Sequence, residues 1–129
     1  MSRSGYSDDC DGWELIRWRG AVHSAIRGKR GQTLLRELAE AMDAMPVKEL
    51  IADALHEDGA YCALGVVGAK RGVDMTAIDP HDSEQVSKEF NIAEALAKEI
   101  AYVNDDFHKE EPAHRWARVR TWVTENLKP

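Results

Sequence analysis

Of the side chains able to do chemistry, Cys62 is the only nucleophile worth naming. The run from Cys62 to Arg71 reads as a helix, so the thiol would stand at a helix start, where free amides and the dipole favour a thiolate. His56, His108 and His114 are candidate bases and Asn104 a candidate orienting amide, but nothing in their spacing brings them together. Within Ala60-Tyr61-Cys62-Ala63-Leu64 a cysteine reads equally as a small buried hydrophobe. Cys10, Cys62 and five histidines give no CxxC, HxxxH or HExxH spacing, so no metal site is expected. Gly65-Val66-Val67-Gly68-Ala69-Lys70-Arg71-Gly72 lacks the P-loop spacing and the Ser or Thr that must follow its lysine, and there is no GxGxxG. No catalytic residue and no cofactor are assigned. A Cys62-dependent thiol enzyme stands as the last of three readings.

Charge is more informative. The net charge of −6 hides a segregation: Leu15 to Arg36 contains Arg17, Arg19, Arg27, Lys29, Arg30 and Arg36 and no acid, so a segment of +6 sits on a remainder of −12. Such a segment can contact phosphates, an acidic partner or the protein's own acidic surface. The candidate binding residues are Arg17, Arg27, Lys29 and Arg30, the last two in a Gly28-Lys29-Arg30-Gly31 loop, with Tyr6 and Trp13 as aromatic anchors. A sequence pI near 5.3 argues against a dedicated nucleic-acid domain and favours a protein partner, with nucleic acid as the alternative. A homodimer in which basic and acidic faces meet is also compatible with this layout. The acids at Asp105, Asp106, Glu110 and Glu111 read as a solvated loop.

The elements that must carry these residues are mainly helical. Residues 1–11 have no periodicity and read as a flexible N-terminal lead, and residues 12–129 as a single helical domain. Leu15, Trp18, Val22, Ala25 and Ile26 recur at helical spacing up to Gly28, and a second amphipathic helix is expected from about Gln32 to Met45, stopped by Pro46. Residues 49–62 admit two readings, a small β-hairpin or a continued helix broken at Gly59. Gly65, Gly68 and Gly72 would form one smooth helix face for close packing. Asp79-Pro80 reads as a helix start, Asn91 as a left-handed turn, and Ile92, Leu96, Ile100 and Val103 as a following helix. Ser83 to Ile100 invites comparison with a helix-turn-helix, yet Glu94, Lys98 and Glu99 would turn net negative charge toward DNA, so plain helix-hairpin packing is expected. Glu111-Pro112 opens a last helix with Trp116, Val119, Val123 and Leu127 inward and Arg115, Arg118 and Arg120 outside or at its edges. The expected fold is a compact bundle of about five to six short helices.

At 129 residues the chain has the size of one domain, large enough to bury roughly two thirds of its unfolded surface. No stretch approaches the roughly 20 apolar residues of a membrane span, and the N-terminus lacks an apolar signal core. Two reduced thiols in a cytoplasm are therefore expected, with no membrane partner.

Ser4-Gly5-Tyr6-Ser7-Asp8-Asp9, Trp18-Arg19-Gly20-Ala21-Val22 and above all Ala25-Ile26-Arg27-Gly28-Lys29-Arg30-Gly31-Gln32 resemble a family of small phage and prophage proteins of unknown function. Cys62-Ala63-Leu64-Gly65, Asn104-Asp105 and Arg115-Trp116 extend the resemblance over nearly the whole chain. It implies an accessory product of bacterial viruses acting in the bacterial cytoplasm by binding one host or phage protein, and it carries over no site residue.

Overall fold

The most pronounced apolar stripe in the chain lies on α2 (Lys29–Asp43), where Leu34, Leu35, Leu38 and Met42 are each no more than 1 % exposed. In the computed structural model, which describes residues 3–4, 12–107 and 109–129, this stripe forms the middle of the core. Helix α1 (Gly12–Arg27) lays Val22 and Ile26 against it, with Trp18 and Ala25 half-buried beside them. The break between α1 and α2 is one residue long rather than the four-residue loop expected. Gly28 alone leaves helical geometry, at φ −69° and ψ 164°, and Lys29, Arg30 and Gly31 already belong to the first turn of α2. Gly31 permits this tight corner, because a Cβ there would stand 2.0 Å from the Ala25 carbonyl oxygen.

After α2, Lys48 Nζ donates to the carbonyls of Asp43 and Met45 at 2.6 and 2.5 Å, closing the end of the helix. Between the two readings of residues 49–62, the hairpin is the one formed. Strands β1 (His56–Glu57) and β2 (Ala60–Tyr61) pair antiparallel, with His56 opposite Tyr61 and Glu57 opposite Ala60. Asp58 and Gly59 both take positive φ, 50° and 80°, as a two-residue hairpin turn requires.

Helix α3 (Ala63–Arg71) follows at once, and two of its glycines do pack closely. A Cβ at Gly65 would fall 1.8 Å from the Leu55 carbonyl oxygen, and one at Gly68 would fall 2.7 Å from the Met75 sulfur. Gly72 has another task, ending the helix in the left-handed region at φ 74°. A 3₁₀ turn (Met75–Ala77) leads to α4 (Ser83–Phe90), whose start lies four residues beyond Asp79. Asp79 and Pro80 form a preceding turn, closed by the Asp82 amide on the Asp79 carbonyl at 3.0 Å, and Asp82 caps the helix through the Gln85 amide. Asn91 makes the left-handed turn into α5 (Glu94–Asp105). Helix α5 packs against α1, α3, α4 and α6, so it serves as internal scaffold rather than as a groove-reading helix. Helix α6 (Pro112–Asn126), opened by Pro112, seals the core with Val119 and Val123.

The domain is thus mainly helical, with six helices and one small hairpin among the described residues. No helix among them is long and apolar enough to cross a membrane.

Candidate functional site

Arg17, Arg27, Lys29 and Arg30 are all exposed. Among the described residues, ion pairs join Asp105 to Arg3, Glu40 to Lys70, Glu37 to Arg71, Glu84 to Lys88, Glu94 to Lys98, Glu110 to Arg115 and Arg118, and Asp43 to Arg120. None of the six cations between Leu15 and Arg36 takes part in one. Among the described residues, Arg27 meets the His23 ring at 3.1 Å, Arg30 the Asn91 side-chain oxygen at 3.5 Å, and Arg19 lies over the Trp18 ring at 6.0 Å.

The four predicted cations do not form one cluster. Arg17 precedes Arg27 by ten residues of α1, about 15 Å along a helix axis. Lys29 and Arg30 instead share a cleft of about 210 Å³ between the start of α2 and the end of α4, with Thr33, Arg71, Phe90 and Asn91. Arg71 carries no signal of this role in the sequence. It reaches the cleft from the end of α3, held by Glu37 in a two-pronged bond at 2.9 and 2.5 Å, with its third nitrogen on the Phe90 carbonyl at 3.4 Å. The hydrogen bonds from Arg71 hold the Glu37 carboxyl below its usual range and raise the guanidinium pKa in turn. Three cations against one committed carboxylate leave this cleft electropositive. Tyr6 and the Trp13 side chain lie outside the described residues.

A second cluster gathers at the start of α3. Cys62 is 1 % exposed and acts as the helix N-cap, its sulfur accepting from the Gly65 amide at 3.4 Å. Asn104 lies beside it, fully buried, with Oδ1 accepting from the Ala63 amide at 3.0 Å and Nδ2 donating to the Ile51 carbonyl at 2.8 Å. The thiol and amide named as a catalytic pair are therefore neighbours, but both are engaged in satisfying backbone. His108 lies outside the described residues, and among the rest no histidine bonds to Cys62. Burial removes the access that nucleophilic chemistry needs, which leaves the thiol reading without support.

Two expectations about charge are corrected by the structure. Asp105 and Glu110 do not lie in a solvated loop. Asp105 takes a two-pronged bond from Arg3, Nε at 2.8 Å and Nη2 at 2.6 Å, and Glu110 holds Arg118 at 2.9 Å. Arg115 is not outside its helix but 3 % exposed, donating to the carbonyls of Asn104, Asp106 and Phe107. Arg3 and Ser4, expected in a flexible lead, are 4 % and 2 % exposed. An isolated arginine in an aperiodic segment carries no sequence signal of such a partner.

Among the described residues no group of three or more His, Cys, Asp or Glu could hold a metal ion. A larger cavity of about 380 Å³ runs between α1, α5 and α6, walled by Trp18, Val22, Ile26, Tyr102 and Trp122. Trp18 and Tyr102 meet edge to face in it at 6.4 Å. No family model, curated protein or solved structure matches the chain.

Proposed function

We propose that the chain is a non-enzymatic binding module whose basic corner, Arg27, Lys29 and Arg30 joined by Arg71, docks an acidic face of a protein partner. The resemblance to small phage and prophage proteins makes that partner a host or phage protein in the bacterial cytoplasm. One observation carries the reading: the α2 carboxylates Glu37, Glu40 and Asp43 are committed to Arg71, Lys70 and Arg120, while Arg27, Lys29 and Arg30 are exposed and join no ion pair among the described residues. Arg17 contributes longer-range attraction from the same acid-free helix, as exposed charges do within about a Debye length.

The test is capture by tagged wild-type protein and by the Lys29→Glu/Arg30→Glu double variant, from bacterial lysate treated with nuclease. A protein retained by the wild type and lost from the folded double variant supports the proposal. Equal retention by both removes the basic corner from it.

Direct nucleic-acid binding is the second reading, favoured by the cleft itself, since Lys29, Arg30 and Arg71 bracket a space that a phosphate group fits. It predicts that capture vanishes with nuclease and that affinity falls steeply with salt, by a slope near the number of phosphates contacted.

A further inference from the structure

We infer that the cleft between the start of α2, the end of α3 and the end of α4 is a receptor for one phosphomonoester group, the doubly charged phosphate that ends a small ester or a phosphorylated side chain. The inference rests on the reading of the basic corner as a binding surface and names the chemistry that this surface selects. Leu34 and Phe90, each 1 % exposed, form an apolar floor, and Lys29, Arg30 and Arg71 stand around it with Thr33 and Asn91. Low-dielectric walls of this kind focus the field of the charges that line them. The space of about 210 Å³ has room for one tetrahedral oxyanion and a few waters.

The charges are arranged for a dianion. Glu37 and the Phe90 carbonyl fix the Arg71 guanidinium, whose carbon lies 5.8 Å from the centre of the Phe90 ring, so this cation is a wall of the cleft with its charge answered. Lys29 and Arg30 join no ion pair among the described residues, and Arg30 leans on the Asn91 side-chain oxygen across the cleft at 3.5 Å. Two unanswered positive charges therefore face one space. A carboxylate or a phosphodiester brings a single negative charge and leaves one of them unmatched, whereas a phosphomonoester brings about −1.5 to −2 and three acceptor oxygens. A nucleic-acid backbone spreads its phosphates along a line and is met by cations in a row. Here Lys29 and Arg30 share one compartment while Arg17 stands about 15 Å from Arg27 along α1, so the cations gather at a point.

The test titrates the isotope-labelled full chain with methyl phosphate, dimethyl phosphate and acetate at matched ionic strength and about pH 7.5, where a phosphomonoester is mostly doubly charged. Methyl phosphate should move the amide resonances of Arg30, Thr33 and Asn91 saturably and bind about tenfold more tightly than the two monoanions, or better. Lys29→Gln/Arg30→Gln should weaken it about tenfold or more, and Arg17→Gln should leave it unchanged. Should the double variant fail to fold, Arg30→Gln alone takes the same titration and should still lose several-fold in affinity. Equal binding of the three anions, resonances that move as far at Arg17 and Arg19 as at Thr33, or a folded variant that binds as the wild type does overturns the site. Capture of a protein by the wild type but not by Lys29→Glu/Arg30→Glu, with no binding of methyl phosphate, overturns this inference and leaves the docking surface standing. Binding of methyl phosphate with no captured protein does the reverse. Where both occur, phosphatase treatment of the lysate before dialysis and capture identifies the source: lost capture assigns the phosphate to a side chain of the partner, and retained capture assigns it to a free ester.

Discussion

Asn104 Oδ1 receives the amide hydrogen of Ala63 at 3.0 Å, joining the end of α5 to the first turn of α3 across 41 positions of sequence. That amide is one of the four that every helix start leaves without an internal partner. The same side chain satisfies the Ile51 carbonyl before the hairpin, and its own backbone carbonyl takes the buried Arg115. One fully buried amide thus ties α3, the hairpin approach, α5 and α6 together.

Asn104→Ala strands both the Ala63 amide and the Ile51 carbonyl in the core. Each unsatisfied buried group costs about 1–3 kcal/mol, so a total loss of about 3 kcal/mol is expected. Urea unfolding should show a lower midpoint with an unchanged slope. Asn104→Asp keeps the acceptor for Ala63 but sets a second carboxylate against Asp105 Oδ1 and the Ile51 carbonyl, so at pH 7 it should cost at least as much as the alanine variant. A loss under about 1 kcal/mol for the alanine variant would contradict this role.

The glycines separate by sign. Gly65→Ala would drive a methyl to 1.8 Å from the Leu55 carbonyl oxygen, and Gly31→Ala would drive one to 2.0 Å from that of Ala25. Both neighbours are backbone, so the packed segments must move apart, at a cost of about 1–3 kcal/mol or more. At Gly20, within α1, an added methyl would meet nothing within 4 Å, and Gly20→Ala should stabilise by about 0.5–1 kcal/mol. Thermal melts of the three variants check the order.

Helical periodicity made the core of α2, α5 and α6 legible, because an apolar stripe at 3.6-residue spacing can be buried in only one orientation. Turn chemistry was legible at Asn91 and Pro112 for the same local reason, and the Asp58-Gly59 hairpin was one of two open readings. The Gly28 corner differs from its expected loop because two glycines flank Lys29 and Arg30, and only tertiary packing shows that Gly31 serves a close helix contact. The charge partners were illegible. Arg3 with Asp105, Arg71 with Glu37 and Arg120 with Asp43 are separated by long stretches of chain, and nothing in local sequence encodes a pairing that topology creates.

Lys29 and Arg30 occupy the first turn of α2, where the helix dipole favours negative charge. Lys29→Glu/Arg30→Glu should therefore fold normally and melt at or slightly above the wild-type temperature, gaining about 0.3–1 kcal/mol per residue at low salt. Circular dichroism melts at low and high salt test this, the gain shrinking as salt rises. A double variant that melts well below wild type would mean that these cations support the fold.

Acid should dismantle the Arg3–Asp105 contact selectively. Burial by itself pushes the Asp105 carboxyl upward, but the Arg3 hydrogen bonds and charge, with the Asp53 amide and the Asn104 side chain, outweigh it and hold the group below the usual carboxylate value. A carboxyl depressed in the folded state stabilises the protein above its unfolded pKa, near 3.9, and that contribution is lost as pH falls through the folded value. Asp105→Asn removes the charge at every pH and leaves Arg3 buried opposite a neutral amide, a loss of about 3 kcal/mol at pH 7. The stability difference between wild type and Asp105→Asn should hold steady from pH 7 to about pH 5 and then narrow toward zero in stronger acid, as the wild-type carboxyl takes up its proton. Urea midpoints of both proteins across that range measure it. A difference that stays constant into strong acid would show that the carboxylate charge of Asp105 contributes nothing to holding Arg3.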